Sequence, residues 1–165
     1  LPPTPEYERT TIMKHTLVNE MNLRFLSRSA NEGFARAAIA AFVSQLDPTL
    51  EELNDIKTAV SEAVTNAIVH AYRDTLGEIH IGAKIYDDGL VSLTIRDRGC
   101  GIEDVAQARQ PMYTTGGSER SGMGFVIMES FMDACSVRST VGRGTTVRLR
   151  KQINARTGGR KGLDR

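Results

Sequence analysis

Three groups of residues have the types and spacing to do chemistry. Glu62 and Asn66 stand four apart in a stretch of helical periodicity, which puts both side chains on one face, one turn from each other. His70 continues the same line. An amide oxygen is a hard ligand suited to Mg²⁺, and a carboxylate beside it can take a proton from a water or a hydroxyl. A solvated helix face would use the same residues, but Ser61, Ala63, Ala67 and Ala71 are small and leave room for something to approach. The second group is Asp97-Arg98-Gly99-Cys100-Gly101, directly after an apolar alternation. Glycines let backbone come close to a ligand, and the aspartate can accept a hydrogen bond from an exocyclic amine such as that of adenine. An ordinary glycine turn is the plainer reading of D-x-G-x-G alone. The third group runs from Gly116-Gly117-Ser118-Glu119-Arg120 into Ser121-Gly122-Met123-Gly124-Phe125. A helix opening behind glycines offers free N–H groups and a positive dipole end to phosphate. Arg120 adds a guanidinium able to reach a terminal phosphate. The G-x-x-x-x-G-K-[ST] pattern is absent, so this is not a Walker loop; a flexible linker before a helix is the plainer alternative.

These groups need elements to hold them. Residues 19–28 alternate, with Met21, Leu23 and Phe25 on one face, and read as a strand. Residues 31–45 carry Phe34, Ala38, Ala41, Phe42 and Val43 at helical spacing, with Asn31 as N-cap. Asp47-Pro48 breaks that helix. Thr49 and Glu52 have capping-box spacing. The helix they open is expected to reach about Tyr72 on a stripe of Leu53, Ile56, Val60, Val64 and Ile68. Residues 79–85 and 90–95 read as a hairpin around Asp87-Asp88-Gly89. A short helix follows over 103–108, then an aperiodic loop over 110–121 and a helix over 122–132. Strands over 135–139 and 146–149 flank Gly142-Arg143-Gly144. This order favours an α+β two-layer sandwich, a mixed β-sheet covered on one face by helices. Residues 1–18 are expected as a flexible arm, 19–152 as the domain and 153–165 as a flexible basic tail.

Composition bounds the rest. A chain of 165 residues, 40% hydrophobic and 25% charged, is ordinary for one globular domain. A formal net charge of +1 gives no nucleic-acid footprint. No apolar run approaches the roughly 20 residues of a membrane span, and residues 1–12 lack the apolar stretch of a secretion signal. The expectation is a soluble cytoplasmic protein without nucleic-acid or membrane partners. Cys100 and Cys135 are too few for a disulfide framework and are expected as buried or half-buried free thiols.

Taken in order, E-x-x-x-N on a helix, D-x-G-x-G after a strand, G-x-G opening a helix after a loop, and Gly144-Thr145 before the last strand resemble the GHKL superfamily of ATPases and kinases. The resemblance runs from about Asn19 to Lys151. Within it, residues 61–68, 121–125, Phe34-Ala35-Arg36, 45–49 and 108–111 look like the sporulation type of anti-sigma factor serine kinase. That resemblance implies ATP and Mg²⁺ as cofactors. It implies Asn66 at the metal, Glu62 as general base, and Asp97 at the adenine amine in a pocket shaped by Gly99 and Gly101. Thr145 would assist on the adenine side. Gly122, Met123 and Gly124 would border the phosphates, with Thr114 and Thr115 also toward the nucleotide. Residues 110–121 would form a lid whose Arg120 touches the γ-phosphate. Arg36 would bind protein partners: a sigma factor, held away from polymerase, and an anti-anti-sigma factor phosphorylated on serine. A homodimer is implied, paired through the sheet edge and first strand. The lid here reads Gly116-Gly117-Ser118 where that type carries a longer stretch with lysine and proline, and Cys100 is an unusual occupant of the glycine loop. Three alternatives share parts of the pattern: a general-stress type of anti-sigma kinase, a sigma-trapping module without kinase activity, and a histidine kinase catalytic domain. The last would need a phospho-accepting histidine on a dimerisation helix, a context that His15, His70 and His80 lack.

Overall fold

The computed structural model describes residues 15–111 and 123–154. Five strands, β1 (Leu17–Leu26), β2 (Glu78–Tyr86), β3 (Leu90–Asp97), β4 (Ala134–Thr140) and β5 (Gly144–Gln152), form one sheet in the order β1-β2-β3-β5-β4. The helices are α1 (Ala30–Val43), α2 (Leu50–Asn66), α3 (Val105–Ala108) and α4 (Gly124–Phe131). Alternation along β2 and β3 buries Ile79, Ile81, Ala83, Ile85, Val91, Leu93 and Ile95 on one face. Ile56, Val60 and Val64 of α2 and Ile39 and Val43 of α1 join them in one core.

The two-layer α+β arrangement is as the sequence indicates, but the sheet is antiparallel throughout rather than mixed. The connections explain this. Between β1 and β2 the chain crosses twice, down α1 and back up α2, so β2 returns antiparallel to β1. Between β3 and β4 it crosses once, which leaves those two strands pointing the same way, but β5 inserts between them.

Local chemistry sets the helix ends. Thr49 Oγ1 accepts the N–H of Glu52 at 3.0 Å, and the Glu52 carboxylate accepts the N–H of Thr49 at 2.8 Å. The other Glu52 oxygen accepts the N–H of Asn154 at 3.1 Å, which ties the end of the domain to the start of α2. After Asn66 the helix does not stop: it widens into one π turn, Ala67–Ala71, up to Tyr72.

Several details differ from the sequence expectation. α1 starts at Ala30 with Ser29 at its N-cap, making no side-chain cap bond, while Asn31 Nδ2 donates to Leu26 O at 2.8 Å. The buried stripe of α1 is Ala35, Ile39, Phe42 and Val43. Phe34, expected in that stripe, lies about 100° round the helix from Ala35 and is 51% exposed. Its ring meets Phe25 edge-on, 6.1 Å between centroids. Ala41 is exposed as well. β1 begins at Leu17, inside the segment expected as an arm, and Ile153, expected in the tail, is buried and donates its N–H to Gly89 O at 3.0 Å. α4 begins at Gly124, two residues later than expected. Cys135 is half-buried, but Cys100 is exposed. Among the described residues no helix is long and apolar enough to cross a membrane.

The capping box gives a direct test. Thr49→Ala removes one member of the reciprocal pair and should lower the unfolding free energy by about 1 kcal/mol. Urea denaturation should show a lower midpoint at unchanged slope; an unchanged midpoint would mean that water caps α2 equally well.

Candidate functional site

A cleft of about 1210 Å³ opens between the sheet's helical side and α4. It is somewhat larger than most small-molecule sites, which run roughly 300–1,000 Å³. Glu62, Asn66 and His70 line one wall, Asp97 and Thr145 the floor, Gly101 and Ile102 the glycine-loop side, and Gly124 and Phe125 the far side. Helical periodicity does the first part of this work. The stripe of α2 that buries Ile56, Val60 and Val64 turns its neighbouring line of Glu62, Asn66 and His70 toward the opening.

Asp97 ends β3 and is only 7% exposed. Its Oδ1 accepts the N–H of Gly99 at 3.0 Å and the N–H of Thr145 at 3.2 Å. Among the described residues no donor reaches Oδ2, which is left for an amine in the cleft. Burial pushes the carboxyl above its ordinary range, and the two N–H donors pull part of that shift back. The group is therefore a desolvated acceptor, which suits an exocyclic amine and disfavours a carbonyl oxygen in the same place.

The glycine loop is pinned on both sides. Cys100 N–H donates to Ala71 O at 3.1 Å and Cys100 Sγ contacts His70 O at 3.1 Å, so the π turn holds one side. On the other, Gly142 N–H donates to Cys100 O at 2.8 Å. A Cβ on Gly99 would meet Ala71 O at 2.3 Å. Gly101 has φ +76°, and a Cβ there would strike Thr140 O at 2.4 Å. The loop's glycines are thus required by contact with protein backbone, whatever ligand it faces.

Gly124 opens α4 against the other wall. A Cβ on it would lie 3.1 Å from Asn66 Nδ2 and 3.2 Å from Glu62 Oε2. The start of this helix therefore rests on the Glu62–Asn66 pair. Its N-cap, Met123, supplies no side-chain cap, and its first turn can turn N–H groups and the positive dipole end to an anion. The donor set fits a magnesium nucleotide. Asn66 offers a hard amide oxygen, and among the described residues no three His, Cys, Asp or Glu side chains gather into a metal cage. An ion bound through one protein oxygen and the ligand's phosphates is the common arrangement for Mg²⁺.

Of the residues singled out in the sequence, Glu62, Asn66, Asp97, Gly101, Gly124 and Thr145 line one cleft. Gly99 does not line it but holds Asp97 through its N–H. Met123 stands at the N-cap of α4. Arg36 lies elsewhere, exposed on α1 and 3.6 Å from Glu32, whose carboxylate also takes the hydroxyl of Ser61 on α2. Thr114, Thr115, Arg120 and Gly122, with most of the expected lid, fall outside the described residues. Two positioning residues had no visible signal in the sequence. Ser139 Oγ accepts the N–H of Ile102 at 2.7 Å and lies 2.7 Å from Thr145 Oγ1, joining the loop to the floor. Tyr72 OH donates to Glu78 O at 2.7 Å and accepts the N–H of Arg98 at 2.7 Å, joining the π turn to the end of β3. Both act through tertiary hydrogen bonds, which leave no periodicity.

Comparison with known proteins gives the family and the fold. The family model of the histidine kinase-like ATPase domain matches residues 25–151. The anti-sigma F factor of Geobacillus kaustophilus is 58% identical over 136 residues, covering 82% of this chain and 93% of the relative. That of Priestia megaterium is 55% identical over 137 residues, covering 82% and 93%. Among solved structures, the RsbU and RsbW domains of Rv1364c from Mycobacterium tuberculosis align with a TM-score of 0.62 at 19% identity, over 84% of this chain and 33% of that one. At that identity the likeness is one of fold.

Asp97→Asn separates ligand binding from folding. The folded protein holds the Asp97 proton more tightly than the unfolded chain does, so ionising this group costs stability as pH rises through its raised range. The amide removes that cost and keeps an oxygen for the two N–H donors. Nucleotide affinity by calorimetry should fall at least tenfold, while the thermal midpoint at neutral pH stays level or rises. Equal affinity for adenine nucleotide in both proteins would remove Asp97 from the site.

Proposed function

Because this chain belongs to the histidine kinase-like ATPases and, within them, to the anti-sigma F factors, we propose that it binds Mg-ATP in this cleft, holds a sigma factor and phosphorylates a serine of an anti-anti-sigma protein. The observation that carries the reading is the convergence of Glu62, Asn66, Asp97 and the start of α4 on one opening. Asp97 receives the adenine amine on Oδ2, with Thr145 beside it. Asn66 would hold the metal, and the first turn of α4 would border the phosphates. Bound Mg²⁺ would neutralise charge on the phosphate oxygens. Glu62, one turn from Asn66, takes the proton from the attacking serine hydroxyl. The serine oxygen forms its bond to the γ-phosphorus as the bond to the ADP oxygen breaks. Such transfer depends on positioning and charge neutralisation more than on covalent help from the protein, and a small domain supplies both.

Thr114, Thr115, Gly122 and Arg120 enter by family resemblance alone, Arg120 as the residue that meets the γ-phosphate. Arg36 is the proposed partner anchor. It is exposed on α1, on a helix whose other face is core. The reading extends to a homodimer in the cytoplasm.

The test is Glu62→Gln, which keeps the shape and removes the base. ATP binding should persist while phosphorylation of the antagonist falls by about 10²–10⁴-fold. Transfer at the wild-type rate would make Glu62 a polar helix residue. Transfer absent from both proteins, with sigma binding intact, would leave a sigma-trapping module.

A further inference from the structure

The cleft uses one face of the sheet. The other face carries charge that nothing so far described employs. Strand alternation sends Arg96 of β3, Arg138 of β4 and Arg148 and Arg150 of β5 to that side, opposite the buried Ile95, Val147 and Leu149. Arg96 and Arg138 flank Thr146 in one cross-strand row. Arg148 follows between Thr94 and Ser136, and Arg150 between Ser92 and Ala134. With strands about 4.8 Å apart and alternate residues about 6.8 Å apart, the four share a patch of roughly 10 by 14 Å. All four are exposed, and among the described residues none has a carboxylate partner. On the β1–β2 half of the same face the cations are paired: Arg24 with Glu78 at 3.1 Å and Lys84 with Glu20 at 3.8 Å.

The chemistry around the arginines narrows the partner. Stable protein interfaces are centred on apolar or aromatic anchors, with charge at the rim. Here the space between the guanidiniums holds the hydroxyls of Ser92, Thr94, Ser136 and Thr146. A second copy laid face to face would oppose two such arginine sets without an apolar centre. By sequence, neither flanking segment carries a net negative charge. Residues 1–14 carry Glu6 and Glu8 against Arg9 and Lys14, and residues 155–165 carry Arg156, Arg160, Lys161 and Arg165 against Asp164. Guanidinium groups interleaved with hydroxyls match phosphate. We propose that this face binds the phosphate backbone of nucleic acid, without reading its sequence. A sheet face presents no helix or protruding ribbon to enter a groove, so base edges go unread. The expectation of no nucleic-acid partner rests on a whole-chain charge of +1, which averages over two unlike faces.

The test is fluorescence anisotropy of the full chain with a labelled 20-base-pair duplex of arbitrary sequence, titrated at several KCl concentrations. Four phosphate contacts predict a slope of log K against log salt of about −3.6 or steeper, a loss of roughly 150-fold between 50 and 200 mM. Arg148→Gln with Arg150→Gln should flatten the slope by about 1.8, with thermal midpoint and fluorescent-ATP affinity unchanged. An unrelated duplex should bind equally. No binding at 50 mM KCl, or an unchanged slope in the double variant, overturns the proposal. So does loss of all binding on deleting residues 156–165 alone, which would assign it to that segment. Displacement of the duplex by polyglutamate of equal charge at equal concentration would point to an acidic protein instead, and an altered oligomeric state in the double variant to a self-interface.

Discussion

The whole cleft hangs on one buried carboxylate. Asp97 ends the central strand β3, and its Oδ1 holds the glycine loop through Gly99 and the first residues of β5 through Thr145. Backbone closes in behind it so tightly that a Cβ on Gly144 would meet Asp97 O at 2.2 Å. A carboxylate removed from water is costly unless hydrogen-bonded, and two N–H donors offset part of that cost while fixing three chain segments relative to each other. One oxygen is used for structure and the other faces the cleft. The same carboxylate therefore builds the floor and, in the proposed function, would receive the adenine amine.

Around that point the fold divides its labour by periodicity. α2 packs Ile56, Val60 and Val64 into the core and, with no change of element, presents Glu62 and Asn66 one turn apart to the opening. Gly124 lets α4 start on that pair. The π turn after Asn66 brings the carbonyls of His70 and Ala71 to Cys100. π turns inside helices recur at functional sites; here the turn links the wall that carries Asn66 to the loop that follows Asp97. The sheet separates this apparatus from its opposite face, where strand alternation collects arginines that have no carboxylate partner among the described residues.

Much of this is legible in the residues because local rules agree with the global arrangement. The Thr49–Glu52 box, the alternation of β2 and β3 and the stripe of α2 each depend on near neighbours in sequence, and each forms where expected. The spacing of Glu62 and Asn66 is fixed by the helix alone. What depends on tertiary context is less legible. Phe34 and Phe42 look equivalent in a list of apolar residues, yet the phase set by Ala35 and Ile39 buries only the second. The antiparallel sheet follows from β5 inserting beside β3, a long-range choice. Ser139 and Tyr72 matter through hydrogen bonds to segments that lie 37 and 26 residues away. Net charge conceals the arginine face because summation discards position.

The central claim is that Asp97 and Asn66 mark the two ends of one bound nucleotide. A crystal structure with Mg²⁺ and a non-hydrolysable ATP analogue tests it most directly. The account predicts the adenine amine about 2.7–3.2 Å from Asp97 Oδ2 and the metal about 2.0–2.1 Å from Asn66 Oδ1, with the phosphates against the first turn of α4. A nucleotide bound with its adenine away from Asp97, or a metal held without Asn66, would contradict it.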